Sequence, residues 1–219
     1  MDSIVYKELY DLQDKVLDIV FSIENMFYLT GGTCLSRFYY EKRYSDDLDF
    51  FADNEPRFKA GIKNIKHTLE KQFHIEEDTT SKDFVRLIVN NSLQVDFIND
   101  RAYRYGSPIV TENNYLIDNI KNILSNKLNA VIDRDEEKDI FDIYLICKYN
   151  DFDWNEILQI ARKKASFSHE DLIIRLKSFP SKLLKNIKVI DQNFLNDFER
   201  EFEIIIKEIN NKEFHQRNT

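Results

Sequence analysis

Asp47 and Asp49 stand two residues apart in Asp46-Asp47-Leu48-Asp49-Phe50-Phe51. In an extended strand alternate side chains share a face, so both carboxylates point the same way and Asp46 points to the other. Leu48, Phe50 and Phe51 mark the run as a buried strand. Two unpaired carboxylates there would be costly, and bound Mg²⁺, which takes hard oxygen ligands, removes that cost. The competing reading is a pair of solvated charges on an edge strand. Upstream, two of the chain's four glycines are adjacent, Gly31-Gly32, between the apolar run Met26-Phe27-Tyr28-Leu29 and a segment from Thr33 to Lys42 that can form a helix. A Gly pair at a strand-to-helix turn lets backbone N–H groups approach a phosphate at the positive end of the helix. The amides of Gly31 and Gly32 and the Thr33 hydroxyl would hold β- and γ-phosphates; a tight turn capped by Thr33 is the alternative. Ser45 is placed to orient a metal ligand or the triphosphate, and Arg43 is either a second contact there or a surface charge. A phosphate turn beside same-face carboxylates is what Mg²⁺-dependent phosphoryl or nucleotidyl transfer requires.

Asp96 lies in the apolar run Val95-Asp96-Phe97-Ile98, where a carboxylate needs a partner; Arg86 on the preceding strand is one candidate. Lys127, Arg134 and Lys138 recur at i, i+7 and i+11, close to one helical face. Such a stripe is either solvated or aimed at an anion. A lysine on a helix face that meets a phosphate is not core, so Lys127→Ala should leave the fold intact. Asp139 and Asp142 follow three apart, and Asp142, amid Phe141 and Ile143, suits holding the basic side chains in place.

The order Gly-Gly, helix, Asp-x-Asp strand resembles the nucleotidyltransferase superfamily with the DNA polymerase β-like palm. The fuller series is Gly31-Gly32-Thr33, Arg43-Tyr44-Ser45, Asp47-Leu48-Asp49-Phe50, Lys127 to Arg134, then Lys138-Asp139 to Asp142-Ile143-Tyr144. It is similar to the AbiEii/AbiGii toxin family over roughly residues 26 to 146. The resemblance implies that Asp96 joins Asp47 and Asp49 as a third metal ligand, with room for two Mg²⁺ ions, and helps deprotonate an attacking hydroxyl. It implies that Lys127 meets the triphosphate of an NTP substrate and neutralises charge as pyrophosphate leaves, with Arg134 and Lys138 beside it. Asp139 matches the family's catalytic acidic position. The implied setting is a toxin paired with an antitoxin protein, and the implied acceptor is tRNA or another RNA. Two alternatives stay open: an enzyme acting on a protein or on a small molecule such as an antibiotic, and a nucleotide-binding regulator without turnover.

These residues need elements to hold them. Apolar spacing predicts a helix over residues 5 to 24 and another from Pro56 to about Phe73. Phe84–Val89 and Leu93–Ile98 read as strands of a hairpin turning at Asn90-Asn91-Ser92, which can place Asp96 beside the Asp-x-Asp strand. From Leu116 onward the pattern is helical, over 116–132, 140–147, 154–165, 169–179 and 194–209, with a polar tail expected to fray from Asn210 to Thr219. The expected fold is α/β (α+β): a palm with a mixed sheet and N-terminal helix over 1–107, then a helical region over 108–219. Seventeen Phe and eleven Tyr make its core aromatic. No apolar run approaches the ~20 residues of a membrane span. The N-terminus lacks a signal peptide's basic-then-apolar order, so cytoplasm is expected. Cys34 and Cys147 lie in amphipathic segments and read as reduced. A net charge of −8 argues against a general nucleic-acid binder, though a local basic patch can serve an RNA substrate.

Overall fold

The structure, a computed structural model, describes residues 2–212. The chain packs as two compact units, Met1–Asn119 and Ile120–Thr219. The first unit runs α1 (Asp2–Ile23), β1 (Tyr28–Thr30), α2 (Gly31–Phe38), β2 (Asp47–Asp53), α3 (Phe58–Leu69), β3 (Ile75–Thr80), β4 (Phe84–Val89), β5 (Leu93–Asp100), β6 (Ile109–Val110) and β7 (Leu116–Ile117). Its seven strands form one mixed sheet in the order β3-β4-β5-β2-β1-β7-β6. The β2–β5 and β1–β7 pairs are parallel and the other four antiparallel.

Period-two alternation decides which face is core. Along β2, Leu48, Phe50 and Ala52 are buried while Asp47, Asp49 and Phe51 are half-exposed. The in-register partners Leu29, Val85, Leu87, Val95 and Phe97 complete the buried face. Phe50 stacks on Phe97 at 5.3 Å, and Phe97 meets Phe27 edge-on at 5.1 Å. Phe21 of α1 and Phe58 of α3 close over them. Aromatic packing of this kind contributes about 0.5–1.5 kcal/mol per pair beyond area burial. At the hairpin tip Asn90 and Asn91 take φ of 50° and 58°, the left-handed values a tight β4–β5 turn requires.

The second unit is helical: α4 (Ile120–Asp133), α5 (Glu137–Tyr149), α6 (Trp154–Lys164), α7 (His169–Ser178), two short 3₁₀ helices (Ser181–Asn186 and Gln192–Leu195), and α8 (Phe198–Asn210). Asp153 and Ser168 cap α6 and α7 by accepting from the amides of Asn155 and Asp171. Tyr144, Phe141, Phe194 and Phe198 form its aromatic centre.

The helix expected from Leu116 begins instead at Ile120, because Leu116–Ile117 pair as β7 and Asp118 donates its amide to the Leu29 carbonyl. The first unit therefore extends past residue 107 to Asn119. The last residues of the expected frayed tail, 213–219, lie outside the described residues. Both cysteines are free thiols. Among the described residues no helix is long and apolar enough to cross a membrane.

Candidate active site

The Gly turn is built by exclusion. Gly31 opens α2 at φ 72°, and a Cβ there would stand 2.5 Å from Asp49 Oδ2. Only glycine lets the turn lie against that carboxylate. A Cβ on Gly32 would stand 2.2 Å from a terminal guanidinium nitrogen of Arg43. Arg43 is thus not a surface charge: it is 4% exposed and packs on the first turn of α2, adding positive field to the helix N-terminus. Thr30 occupies the N-cap in an extended conformation but does not cap the helix. Its hydroxyl donates to Asp118 Oδ2 at 2.8 Å. So the first amides of α2 have no side-chain cap.

Thr33 and Ser45 brace this turn onto the start of β2. The Thr33 hydroxyl donates to the Asp47 carbonyl and lies 2.8 Å from Ser45 Oγ. The Ser45 carbonyl accepts from Gln13 Nε2, and its amide from N–H to the Tyr10 hydroxyl spans 3.2 Å. Both side chains are buried. The expected contact of the Thr33 hydroxyl with phosphate gives way to this bracing place, because its one proton serves β2.

The carboxylate face spans three strands. Asp49 pairs in register with Asp96 of β5, and Asp96 with Arg86 of β4, so all three side chains share a face with Asp47 and Gln94. The Arg86 guanidinium grips Asp96 with two bonds, Nε to Oδ1 at 2.8 Å and a terminal nitrogen to Oδ2 at 2.7 Å. Gln94 adds a third, to Oδ2 at 3.1 Å. The bond to Asp96, with smaller help from Asp78 and Asp49, pushes the Arg86 pKa up and keeps the group charged. Asp47 and Asp49, half-exposed beside the space that Gly31 leaves, are a donor set that fits a hard divalent cation. Asp96 stands in register beside Asp49 with its oxygens bonded to Arg86 and Gln94, and among the described residues no group of three His, Cys, Asp or Glu side chains is already gathered as a metal site. The structure shows the Arg86–Asp96 ion pair, with the partner named for Asp96 from the sequence.

In the helical unit a second cluster forms around Lys127. Its ammonium donates to Asp139 Oδ1 at 2.8 Å and pairs with Asp142 Oδ2 at 2.7 Å. Arg134 reaches Asp139 from outside, Nε to Oδ2 at 2.7 Å. Asp139 and Asp142 are fully buried and Lys127 nearly so. Burial alone would raise the Asp139 carboxyl, but Lys127 and Arg134 outweigh it and hold it below the usual carboxylate range. The single basic stripe does not exist. Lys127 is on α4, Arg134 follows its end, and Lys138 stands exposed in the first turn of α5, outside the cluster. Counting seven and eleven residues along one helix ran through the break at residues 134–136. Lys127 is also core, contrary to the expectation that it could be removed without consequence for the fold.

Sequence reasoning missed Asp118. It is fully buried, accepts from Thr30, and takes Arg104 at 3.1 Å. Arg104 lies over the Tyr28 ring at 4.2 Å, and the Tyr28 hydroxyl donates to Asp53. The signal was available: Leu116-Ile117-Asp118-Asn119-Ile120 is another apolar run with an acid inside it.

With this geometry in hand, comparison with known proteins gives one consistent result. A family model described as nucleotidyl transferase AbiEii toxin, type IV TA system, matches residues 19–212. A protein of Aquifex aeolicus (strain VF5) is 29% identical over 178 residues, covering 78% of this chain and 80% of its own. Among solved structures, JHP933 from Helicobacter pylori is similar at a TM-score of 0.64 and 20% identity, over 93% of this chain and 91% of that one. MenT4, a nucleotidyltransferase toxin from Mycobacterium tuberculosis H37Rv, is similar at 0.66 and 12% identity, over 95% and 85%. At these identities the two structures speak to the fold.

Proposed function

Because this chain belongs to the AbiEii family of nucleotidyltransferase toxins, we propose that it moves an NMP from an NTP to a hydroxyl of an acceptor, releasing pyrophosphate. The observation that carries the reading is the register Asp49–Asp96 beside a glycine turn that leaves room for a ligand against Asp49. Asp47 and Asp49 would hold a divalent cation; bound Mg²⁺ supplies neutralisation of phosphate charge. The amides opening α2, with Arg43 beneath them, would cradle the triphosphate. Asp96 would take the acceptor's proton. An ionised carboxylate offers about four lone-pair sites; Arg86 and Gln94 fill three, and Oδ1 keeps one. The acceptor oxygen then bonds the α-phosphorus as the bond to the bridging oxygen breaks, and pyrophosphate departs. Within the helical unit, Asp139 and Asp142 hold Lys127, and Arg134 braces Asp139.

The acceptor we propose, on the family resemblance of the motifs, is RNA, tRNA included; the proposed partner is an antitoxin, following the type IV toxin–antitoxin description of the family. The net charge of −8 favours the second reading, a protein or small-molecule acceptor. The test incubates the chain with Mg²⁺ and each α-labelled NTP against total RNA, cell protein and small-molecule fractions. Label in RNA, lost in Asp47→Asn with Asp49→Asn, is the expected result. Label confined to protein or small molecules selects the second reading. No label in any fraction, with no NTP binding by calorimetry, rejects transfer.

A further inference from the structure

Three carboxylates and one guanidinium share the open face of the palm sheet: Asp47, Asp49, Asp96 and Arg86. The second cation of a two-ion site needs a carboxylate shared between the ions or standing beside them. Asp96 is the third carboxylate in register, and its oxygens are already taken: both bond Arg86, and Oδ2 bonds Gln94 as well. The single acceptor position left on Oδ1 serves one hydroxyl; it does not replace the several oxygens a divalent ion needs. An ion placed there would also meet the fixed positive charge of Arg86 across the hairpin. The pairing is not an accident of two flexible surface groups. Arg86 and Asp96 are directly opposite residues on antiparallel strands, and the Asp96 side chain is 8% exposed. The bidentate fork matches carboxylate geometry in a way an ammonium could not.

We propose that this palm binds one divalent cation, on Asp47 and Asp49, and that the Arg86 guanidinium stands on Asp96 in place of a second. The inference rests on the nucleotidyltransferase reading of the same face. It makes Arg86 a specificity element: it fixes the ion count and leaves Asp96 free to meet the acceptor hydroxyl alone.

The test counts ions without turnover. The full chain is saturated with Mn²⁺ and, in turn, the α,β-methylene analogues of ATP, GTP, CTP and UTP. Bound Mn²⁺ per chain is then measured by equilibrium dialysis, and its electron paramagnetic resonance spectrum recorded. Wild type should hold one Mn²⁺ per bound nucleotide with an uncoupled spectrum. Arg86→Ala should bind a second ion, coupled to the first, since two ions in such sites lie about 3.5–4 Å apart. Asp96→Asn should keep the count at one. Two coupled ions in wild type, falling to one in Asp96→Asn, overturn the inference while leaving nucleotidyl transfer standing. A count that stays at one in folded Arg86→Ala overturns the role given to Arg86. If that variant does not fold, the wild-type and Asp96→Asn counts still decide whether the palm holds one ion. No Mn²⁺ with any analogue rejects the cation site on Asp47 and Asp49 itself, and with it the premise.

Discussion

A missing Cβ at Gly31 sets the clearance between the turn and Asp49. Gly31→Ala would meet two penalties: the left-handed φ costs an L residue about 1–2 kcal/mol, and the new methyl overlaps Asp49 Oδ2. The variant should melt a few degrees lower and lose Mg·NTP binding by calorimetry, because Asp49 must swing off the face. Full nucleotide affinity in Gly31→Ala would place the ligand elsewhere. Lys127 makes a different kind of claim. Lys127→Met removes the ammonium that pairs with two fully buried carboxylates. Removing one partner of a buried pair costs about 3–5 kcal/mol, so thermal melts should show a large loss; a melting point within a degree of wild type would contradict the buried cluster. Asp139 ties this to pH. Its folded-state pKa lies below the unfolded value of about 3.9. Its contribution is therefore complete above that value and fades as pH falls through the folded one. Asp139→Asn should be less stable than wild type at neutral pH, and the two should converge only in strong acid. A gap in urea midpoints that is flat across the acid range would assign the stability to something else.

At the scale of elements, the β4–β5 hairpin carries Asp96 and Arg86, so its turn sets the register of the site. Asn91 sits at φ 58° with no bond from its side chain, whereas Asn90 also accepts from the His74 amide. Asn91→Gly should therefore be neutral or stabilising by about 0.5 kcal/mol, and Asn91→Ala destabilising by about 1 kcal/mol. Urea unfolding measures both, and the opposite order would mean the turn is not left-handed. Elements also explain what patterns missed. β3 reads Ile-Glu-Glu-Asp-Thr-Thr, almost wholly exposed, and forms because β4 offers it an open edge. Its polar composition hides it from any hydrophobic period. β7 is two residues long and exists because β1 lies parallel to it. A helix period read from Leu116 has no means of detecting that partner.

For the whole molecule, charge constrains the acceptor. A chain at −8 has little sequence-independent pull on polyanions. Non-specific RNA binding at physiological salt should fall at or below the weak end of the usual range, a Kd near 10⁻⁴ M. A true RNA acceptor would be held by local contacts and show a shallow dependence of log K on log salt. Fluorescence anisotropy with an unrelated single-stranded RNA and with the labelled acceptor separates the two. Micromolar binding of the unrelated RNA would reveal a basic surface that the net charge conceals.

Sequence by itself determined the chemistry of the palm face. Alternation alone set Asp47 and Asp49 together and away from Leu48 and Phe50, because a strand's geometry is local and repeats every two residues. It also determined the hairpin that carries Asp96, and the helical character of the second unit, since both rest on short-range periods. The tertiary structure decided every question of partnership. It chose Arg86 as the owner of Asp96, turned Thr33, Arg43 and Ser45 inward as braces, and folded Lys127 into the core between Asp139 and Asp142. A charged side chain's role depends on which opposite charge is within about 3 Å and how little water remains between them. Those two quantities are set by strand register and by where a helix ends, and a residue's neighbours along the chain carry neither.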